Sequence, residues 1–222
     1  MKVERLNEDS LLITFGDRID ETLLPRITGL AAQLQQQWGK ALVELVPAYT
    51  TLLVVFDPWR ADADQMLASI RRQSHQAQPT HHPGRTVELP VYYHASVAPD
   101  LEAVARHCQL DVAEVIALHS QTTYRVFAIG FSPGFAFMGN LPPALSVPRL
   151  ATPRPLVPVG SVAIANEQTA IYPQPTPGGW HIIGRCPSAL FSVDTLSTLQ
   201  VGDRVRFKQV DRDAYLAMGG TA

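Results

Sequence analysis

Arg149 and Arg154 sit in the segment V-P-R-L-A-T-P-R-P, where prolines stiffen the backbone around both. Guanidinium groups held on a rigid loop suit a carboxylate or a phosphate, gripped by parallel hydrogen bonds. The plainer alternative is two solvated surface arginines. A second segment, P-T-P-G-G-W-H-I-I-G-R, supplies Gly178, Gly179, Trp180 and Arg185. Paired glycines let a ligand approach the main chain closely and present N–H groups to an oxyanion. Trp180 adds an apolar wall, or is the core residue behind a hairpin turn. A third segment, G-F-S-P-G-F-A-F-M-G, brings Gly130, Phe131, Pro133, Gly134 and Phe135 together with further glycine and phenylalanine. So much backbone constraint beside large aromatics predicts a shaped loop at a pocket or a partner surface; the alternative is a tight turn over core aromatics. Gln168-Thr169 and Tyr172-Pro173 lie between these loops and can face the same cleft. His119 ends a predicted helix within reach of Tyr124, as a C-terminal cap or as a proton carrier.

Several motifs fail on their chemistry. Gly130-Phe131-Ser132-Pro133-Gly134 matches G-x-S-x-G, but that nucleophile elbow needs the N–H of the residue after serine. Here that residue is Pro133, which has none. Neither a G-x-x-x-x-G-K-[ST] loop nor a G-x-G-x-x-G after a strand occurs. His81-His82 reads as solvated linker, because adjacent histidines on one strand rarely hold one metal. No metal site is expected.

The chain has 222 residues, 46% apolar and 17% charged, which suits packed domains rather than disorder. Its net charge of −2 argues against nucleic acid as the main partner. Cys108 and Cys186 are too far apart for a metal motif or a disulfide framework. The first residues carry no apolar leader and no run reaches transmembrane length, so the expectation is a soluble cytoplasmic protein without a membrane partner.

The loops must be positioned by two domains, 1–84 and 85–222. In the first, Leu11–Phe15 reads as a strand. Asp20 reads as the N-cap of a helix running through Leu23, Ile27, Leu30 and Leu34 to Gly39. Ala41–Val46 and Thr51–Phe56 are strands joined by a turn at Pro47-Ala48-Tyr49, and Asp62 or Asp64 opens a second helix. With Val87–Tyr93 the order is strand, helix, strand, strand, helix, strand, a ferredoxin-like α+β pattern. The polar stretch 74–84 is the boundary. Beyond it, Asp100–Cys108 and Asp111–His119 read as helices with a carboxylate at each start. Tyr124–Ile129, Leu156–Ala165, Thr169–Tyr172, Trp180–Ile183 and Asp203–Phe207 read as strands, and dense proline from Pro133 to Pro187 excludes helix. Short strands with many turns predict a barrel or sandwich.

Taken together, the motifs carry a resemblance along most of the chain. Leu118-His119-Ser120, Tyr124, G-F-S-P-G-F, V-P-R…P-R-P, V-P-V-G-S-V-A-I, Q-T-A-I-Y-P and P-T-P-G-G-W-H-I-I-G-R occur in the order seen in the KipI family. That family is also called allophanate hydrolase subunit 1, and its metabolic members are the B subunit of the ATP-dependent 5-oxoprolinase. The resemblance implies an α+β N-terminal domain and a cyclophilin-like β-barrel. It implies a KipA-like C component and a LamB/YcsF-like A component as partners, and ATP shared with them. It implies a small carboxylated amide as substrate, with 5-oxoproline opened to glutamate once phosphorylation of the amide oxygen has made a leaving group. The implied surface joins Gly130, Phe131, Pro133, Gly134 and Phe135 to Arg149, Arg154, Gly160, Ser161, Gln168, Tyr172, Gly178, Gly179, Trp180 and Arg185. Arg154 and Arg185 would take a carboxylate or phosphate, and Phe135 and Trp180 would form walls. Two other readings stay open: a KipI-type inhibitor of a sensor histidine kinase, and part of an amidohydrolase for another amide such as allophanate. The sequence departs from the family pattern at Tyr93-His94-Ala95, Ala165-Asn166-Glu167 and Ala170, where glycines are common, and at Cys186, where threonine is usual.

Overall fold

The structure, a computed structural model, describes residues 1–74, 84–194 and 196–221, and divides into two compact units, Met1–Pro83 and Gly84–Ala222. The expected boundary stretch and His81-His82 lie outside the described residues, save residues 74 and 84.

In the first unit the strands β1 (Lys2–Arg5), β2 (Ser10–Thr14), β3 (Leu42–Ala48) and β4 (Thr51–Phe56) form an antiparallel sheet in the order β1-β2-β4-β3. Alternation along β4 buries Leu52, Val54 and Phe56, and Leu11 and Ile13 of β2 stand opposite on the same face. Helix α1 (Leu24–Trp38) covers that face with Ile27, Leu30 and Leu34, at the spacing one apolar helical stripe requires. It ends at Gly39, whose φ of 42° suits glycine. It does not begin at Asp20, whose carboxylate instead holds the Thr22 N–H at 2.8 Å in a preceding turn; Pro25 opens the helix. Helix α2 (Ala63–Ser74) starts where Asp62 accepts from the Gln65 N–H. The order is therefore ββαββα, not the βαββαβ expected. The strand β1 falls outside the expected pattern because it is short and polar. The strand expected to complete the pattern belongs to the second unit.

There, β5 (Thr86–Val91) runs parallel to β15 (Arg204–Gln209), and β15 is antiparallel to β6 (Thr123–Ile129). The ladder continues antiparallel through β7 (Ala136–Gly139), β10 (Gln168–Ile171), β9 (Ser161–Ala165) and β12 (His181–Arg185). Tyr92, just past β5, exchanges two backbone hydrogen bonds with Arg185 at the end of β12, 2.8 and 2.9 Å. Two ribbons stand off this ladder, β8 (Arg154–Val157) with β11 (Thr176–Gly178) and β13 (Phe191–Ser192) with β14 (Leu196–Ser197). The expected single strand 156–165 is two strands, because Gly160 turns the chain with φ 77°. Helices α3 (Leu101–Cys108) and α4 (Val112–Gln121) seal the main core, where Leu101, Val104 and Val115 meet Val126, Met138, Ile164, Ile183 and Phe207. Asp111 and Glu114 cap α4 reciprocally, at 2.7 and 2.8 Å. A last helix, α5 (Arg212–Ala217), lies beyond the expected elements; Asp211 caps it through the Ala214 N–H.

Candidate functional site

The G-F-S-P-G-F segment is the hairpin loop between β6 and β7. It closes on itself through Gly130 N–H to Phe135 O and Phe135 N–H to Ser132 O, both 3.0 Å. Phe131 and Gly134 both take positive φ, 71° and 79°. Only Gly134 does so without strain, and it has no room for a side chain: a Cβ there would lie 2.8 Å from the Phe191 Cβ. The loop thus throws Phe131 outward, 66% exposed, while Phe135 turns inward to 2%. A strand, not a helix, follows, which removes the other requirement of a nucleophile elbow.

Phe135 is the hub of an aromatic cluster. Its ring meets Phe131, Phe137, Tyr172 and Trp180 edge to face, with centroids 4.8 to 6.0 Å apart. These rings, with Arg149, Pro153, Pro177, Gly178 and Gly179, line a hollow of about 240 Å³. Gly178 is required there, because a Cβ would stand 2.3 Å from the Tyr172 hydroxyl. The proline loop is tied to this wall twice. Leu150 N–H donates to Gly179 O at 2.8 Å, and His181 Nε2 donates to Pro148 O at 2.9 Å. Arg149 leans over the Trp180 ring at 5.9 Å, on the solvent side of the hollow. Burial raises the Tyr172 pKa, against the Trp180 N–H and the charges of Arg149 and Arg154, so the phenol stays protonated and neutral. The hollow therefore offers a flat apolar interior and one cation at its mouth. It suits a small planar molecule bearing an anionic group.

Seven expected residues line this hollow: Phe131, Phe135, Arg149, Tyr172, Gly178, Gly179 and Trp180. Gly130, Pro133 and Gly134 shape its hairpin. Phe137 joins them beyond the expected set, although the alternation F-A-F places it on the same face as Phe135. The others go elsewhere. Arg154 turns to Asp100, Nη2 to Oδ1 2.6 Å, with one further guanidinium nitrogen buried and unpartnered. Asp100 caps no helix N–H; its second oxygen accepts the Ile182 N–H at 2.7 Å. Gly160 and Arg185 line a different hollow. Ser161 is fully buried on β9, and Gln168 opens β10.

His119 reaches neither hollow. It is fully buried, stacked 4.6 Å over Phe207, and both ring nitrogens are bonded. Thr169 Oγ1 spends its proton on Ala163 O at 3.1 Å, so His119 Nε2 must donate to it, at 3.0 Å. Nδ1 then accepts from the Tyr93 hydroxyl at 2.7 Å. Burial lowers the His119 pKa to about 3, and the ring stays neutral. It meets Tyr124 twice, ring beside ring with centroids 5.2 Å apart and through Tyr124 O–H to the His119 carbonyl at 3.0 Å. In this arrangement the His119 side chain links α4 to β10 and to Tyr93.

Among the described residues no cluster of His, Cys, Asp or Glu could hold a metal ion, and no helix is long and apolar enough to cross a membrane. Cys108 and Cys186 are free thiols.

Comparison with known proteins places this architecture. The model of the carboxyltransferase domain, subdomains C and D, matches residues 1–199. The 5-oxoprolinase B subunit of Bacillus subtilis is 35% identical over 97% of this chain and 95% of its own length. The 5-oxoprolinase B subunit of Escherichia coli O157:H7 is 39% identical over 75% of this chain and 77% of its own. The crystal structure of TTHA0988 superposes with a TM-score of 0.81 at 37% identity, over 91% of this chain but only 40% of that longer one. The Kluyveromyces lactis urea amidolyase, at 17% identity and a TM-score of 0.76 over 97% of this chain and 15% of its own, shares the fold alone. The chain belongs to the carboxyltransferase-domain family, subdomains C and D, within which it is similar to the proteins named as the B subunit of 5-oxoprolinase.

Proposed function

We propose that this chain is the B subunit of a heteromeric, ATP-dependent 5-oxoprolinase. It would act with a KipA-like C component and a LamB/YcsF-like A component, in the cytoplasm. The observation that carries the reading is 35% identity to a 5-oxoprolinase B subunit across 97% of this chain. The hollow agrees with it in size and chemistry. Aromatic walls exclude water from a flat lactam ring, and Arg149 at the mouth meets its carboxylate. In the reaction the amide oxygen takes the γ-phosphoryl of ATP, releasing ADP; two waters are then consumed as the lactam C–N bond breaks, the amide oxygen departs in phosphate, both oxygens of the new carboxylate come from water and the ring nitrogen becomes the amine. No phosphate-cradling glycine loop occurs in the sequence, and the hollow lacks a general base, so ATP and proton transfer fall to the assembly. That this fold also occurs inside chains of more than twice its length supports a module completed by further protein. The Tyr92–Arg185 bridge, joining the strand ends β5 and β12, supports a cyclophilin-like barrel as the form of the second domain.

The test is reconstitution. The chain is purified with its KipA-like and LamB-like companions, and glutamate formed from 5-oxoproline is measured with and without ATP. Turnover by the full set and none by the lone chain is expected. An assembled but inactive complex overturns the reading.

A further inference from the structure

The backbone around Arg149 is not held by regular structure. Residues 148–153 form neither helix nor strand, and Pro148 has no N–H to anchor it. The ties that hold this stretch come from distant parts of the chain. Asn166 N–H donates to Val147 O at 2.6 Å, His181 Nε2–H to Pro148 O at 2.9 Å, and Leu150 N–H to Gly179 O at 2.8 Å. The last two bracket Arg149. Residue 148 meets 181 and residue 150 meets 179, so the two segments pass in opposite directions and Arg149 falls opposite Trp180. Its guanidinium lies there, 5.9 Å from the centre of the indole. The Pro148 carbonyl belongs to the planar peptide that leads into Arg149, so the His181 bond sets the plane from which that side chain departs. Histidine is an odd choice at this place for packing alone. A carbonyl only accepts, so Nε2 must carry a proton. In the neutral ring Nδ1 is then a bare acceptor, and it is buried without a partner. Such an atom costs stability, and phenylalanine would fill much the same space without it. What histidine adds is the hold on Pro148.

We propose that His181 is a positioning residue: it fixes the Pro148–Arg149 peptide so that Arg149 stands over Trp180 before the ligand arrives. His181 does not itself line the aromatic hollow and acts through Arg149. The proposal rests on the assignment of that hollow to the lactam and its carboxylate made above. An arginine held in place beforehand loses less freedom on binding, and the gain appears as affinity. Loss of the hold therefore weakens binding and leaves the reacting atoms undisturbed.

Two NMR measurements on the isotope-labelled full chain, without ATP or companion subunits, test the hold itself. In the native chain the ring-nitrogen signals of His181 should show a proton on Nε2. A proton on Nδ1 alone overturns the proposal, because Nε2 could not then donate. The Arg149 Nε–H signal should be displaced by the Trp180 ring and move toward that of a solvated arginine in His181→Phe. His181→Gln, whose amide N–H can replace Nε2–H, should bring it back; an unmoved signal overturns the proposal. In the reconstituted enzyme His181→Phe should raise KM for 5-oxoproline about fivefold, the worth of one hydrogen bond, with kcat nearly unchanged. The thermal midpoint should stay near the native one, because Pro148 is exposed and water can serve its carbonyl. Added to Arg149→Ala, the same change should raise KM by less than about twofold, since no guanidinium remains to be positioned. A lower midpoint with KM unchanged, or full additivity with Arg149→Ala, makes His181 a structural residue only and overturns the proposal. Should the phenylalanine variant fail to fold, His181→Asn, whose shorter amide matches Nδ1 and not Nε2, makes the same comparison against His181→Gln. Absence of turnover by the native complex falls on the assigned reaction, and the two measurements on the lone chain then decide the hold by themselves.

Discussion

Asp100 holds Arg154 with one carboxylate oxygen, 2.6 Å from Nη2, and the Ile182 N–H with the other, at 2.7 Å. The start of α3 is thereby tied to β8 and β12 at once. Because β8 and β11 pair, the same tie fixes the ribbon that carries Gly178 into the aromatic hollow. Asp100→Asn keeps an acceptor for Ile182 but removes the charge opposite Arg154. With both side chains largely buried, the loss expected is about 2–4 kcal/mol, read as a lower urea midpoint at unchanged m-value. Arg154→Ala should destabilise comparably, and the double variant less than the sum of the two. Strict additivity would show that the pair is not coupled.

The same pair marks the limit of what sequence can reveal. Prolines around Arg154 announce a stiffened arginine, and a stiffened arginine reads as a ligand donor. Only the fold reveals that residue 100, fifty-four positions earlier, supplies its partner. His119 shows the same limit: its place at a helix end beside tyrosines does not reveal that the fold buries it and bonds both ring nitrogens. The aromatic hollow is more legible, because its glycines and prolines are local demands of the backbone and its phenylalanines alternate along one strand. The strand pairing of β5 is not legible. Its apolar run fits either unit equally well, and parallel pairing with β15 spans more than a hundred residues.

The neutrality of His119 makes stability depend on pH. Its folded pKa of about 3 lies below the ordinary 6.5, so the unfolded chain binds a proton that the folded chain refuses. The contribution is complete above pH 6.5 and is lost progressively as pH falls toward 3. Between neutrality and pH 5 that loss is about 2 kcal/mol, at about 1.4 kcal/mol per unit. His119→Gln keeps polar atoms at the site and cannot titrate. It should be less stable than the native chain at neutral pH yet lose less on acidification, as urea midpoints at the two pH values will show. Parallel pH dependences in the two proteins would refute the assignment.

Gly130 and Gly134 look interchangeable in the sequence and should respond very differently to substitution. Gly134 has φ 79°, and an added Cβ would meet Phe191 Cβ at 2.8 Å and Leu190 O at 2.9 Å. Gly134→Ala should cost about 2–4 kcal/mol, combining a left-handed penalty with overpacking. Gly130 has nothing within 4 Å of its would-be Cβ and does not take positive φ. Gly130→Ala should leave the thermal midpoint nearly unchanged, within about 0.5 kcal/mol. Equal losses from both would show that the hairpin is not the rigid element described.

Arg149 is the cation left at the mouth of the aromatic hollow once Arg154 is committed to Asp100 and Arg185 lines another hollow. It contacts the Trp180 face at 5.9 Å. If it holds the carboxylate of the amide, it does so equally before and during lactam opening. In the reconstituted enzyme Arg149→Ala should then raise KM about tenfold or more while kcat changes little, the mark of uniform binding. Arg149→Lys should recover only part, because an ammonium group keeps the charge but not the bidentate fork. Binding can be followed apart from turnover. In the native chain 5-oxoproline should change the fluorescence by a component that Trp180→Phe removes, and Arg149→Ala should shift that titration to higher concentration. A fall in kcat at constant KM would move Arg149 from substrate binding to the reacting atoms. An unchanged titration would place the carboxylate outside this hollow.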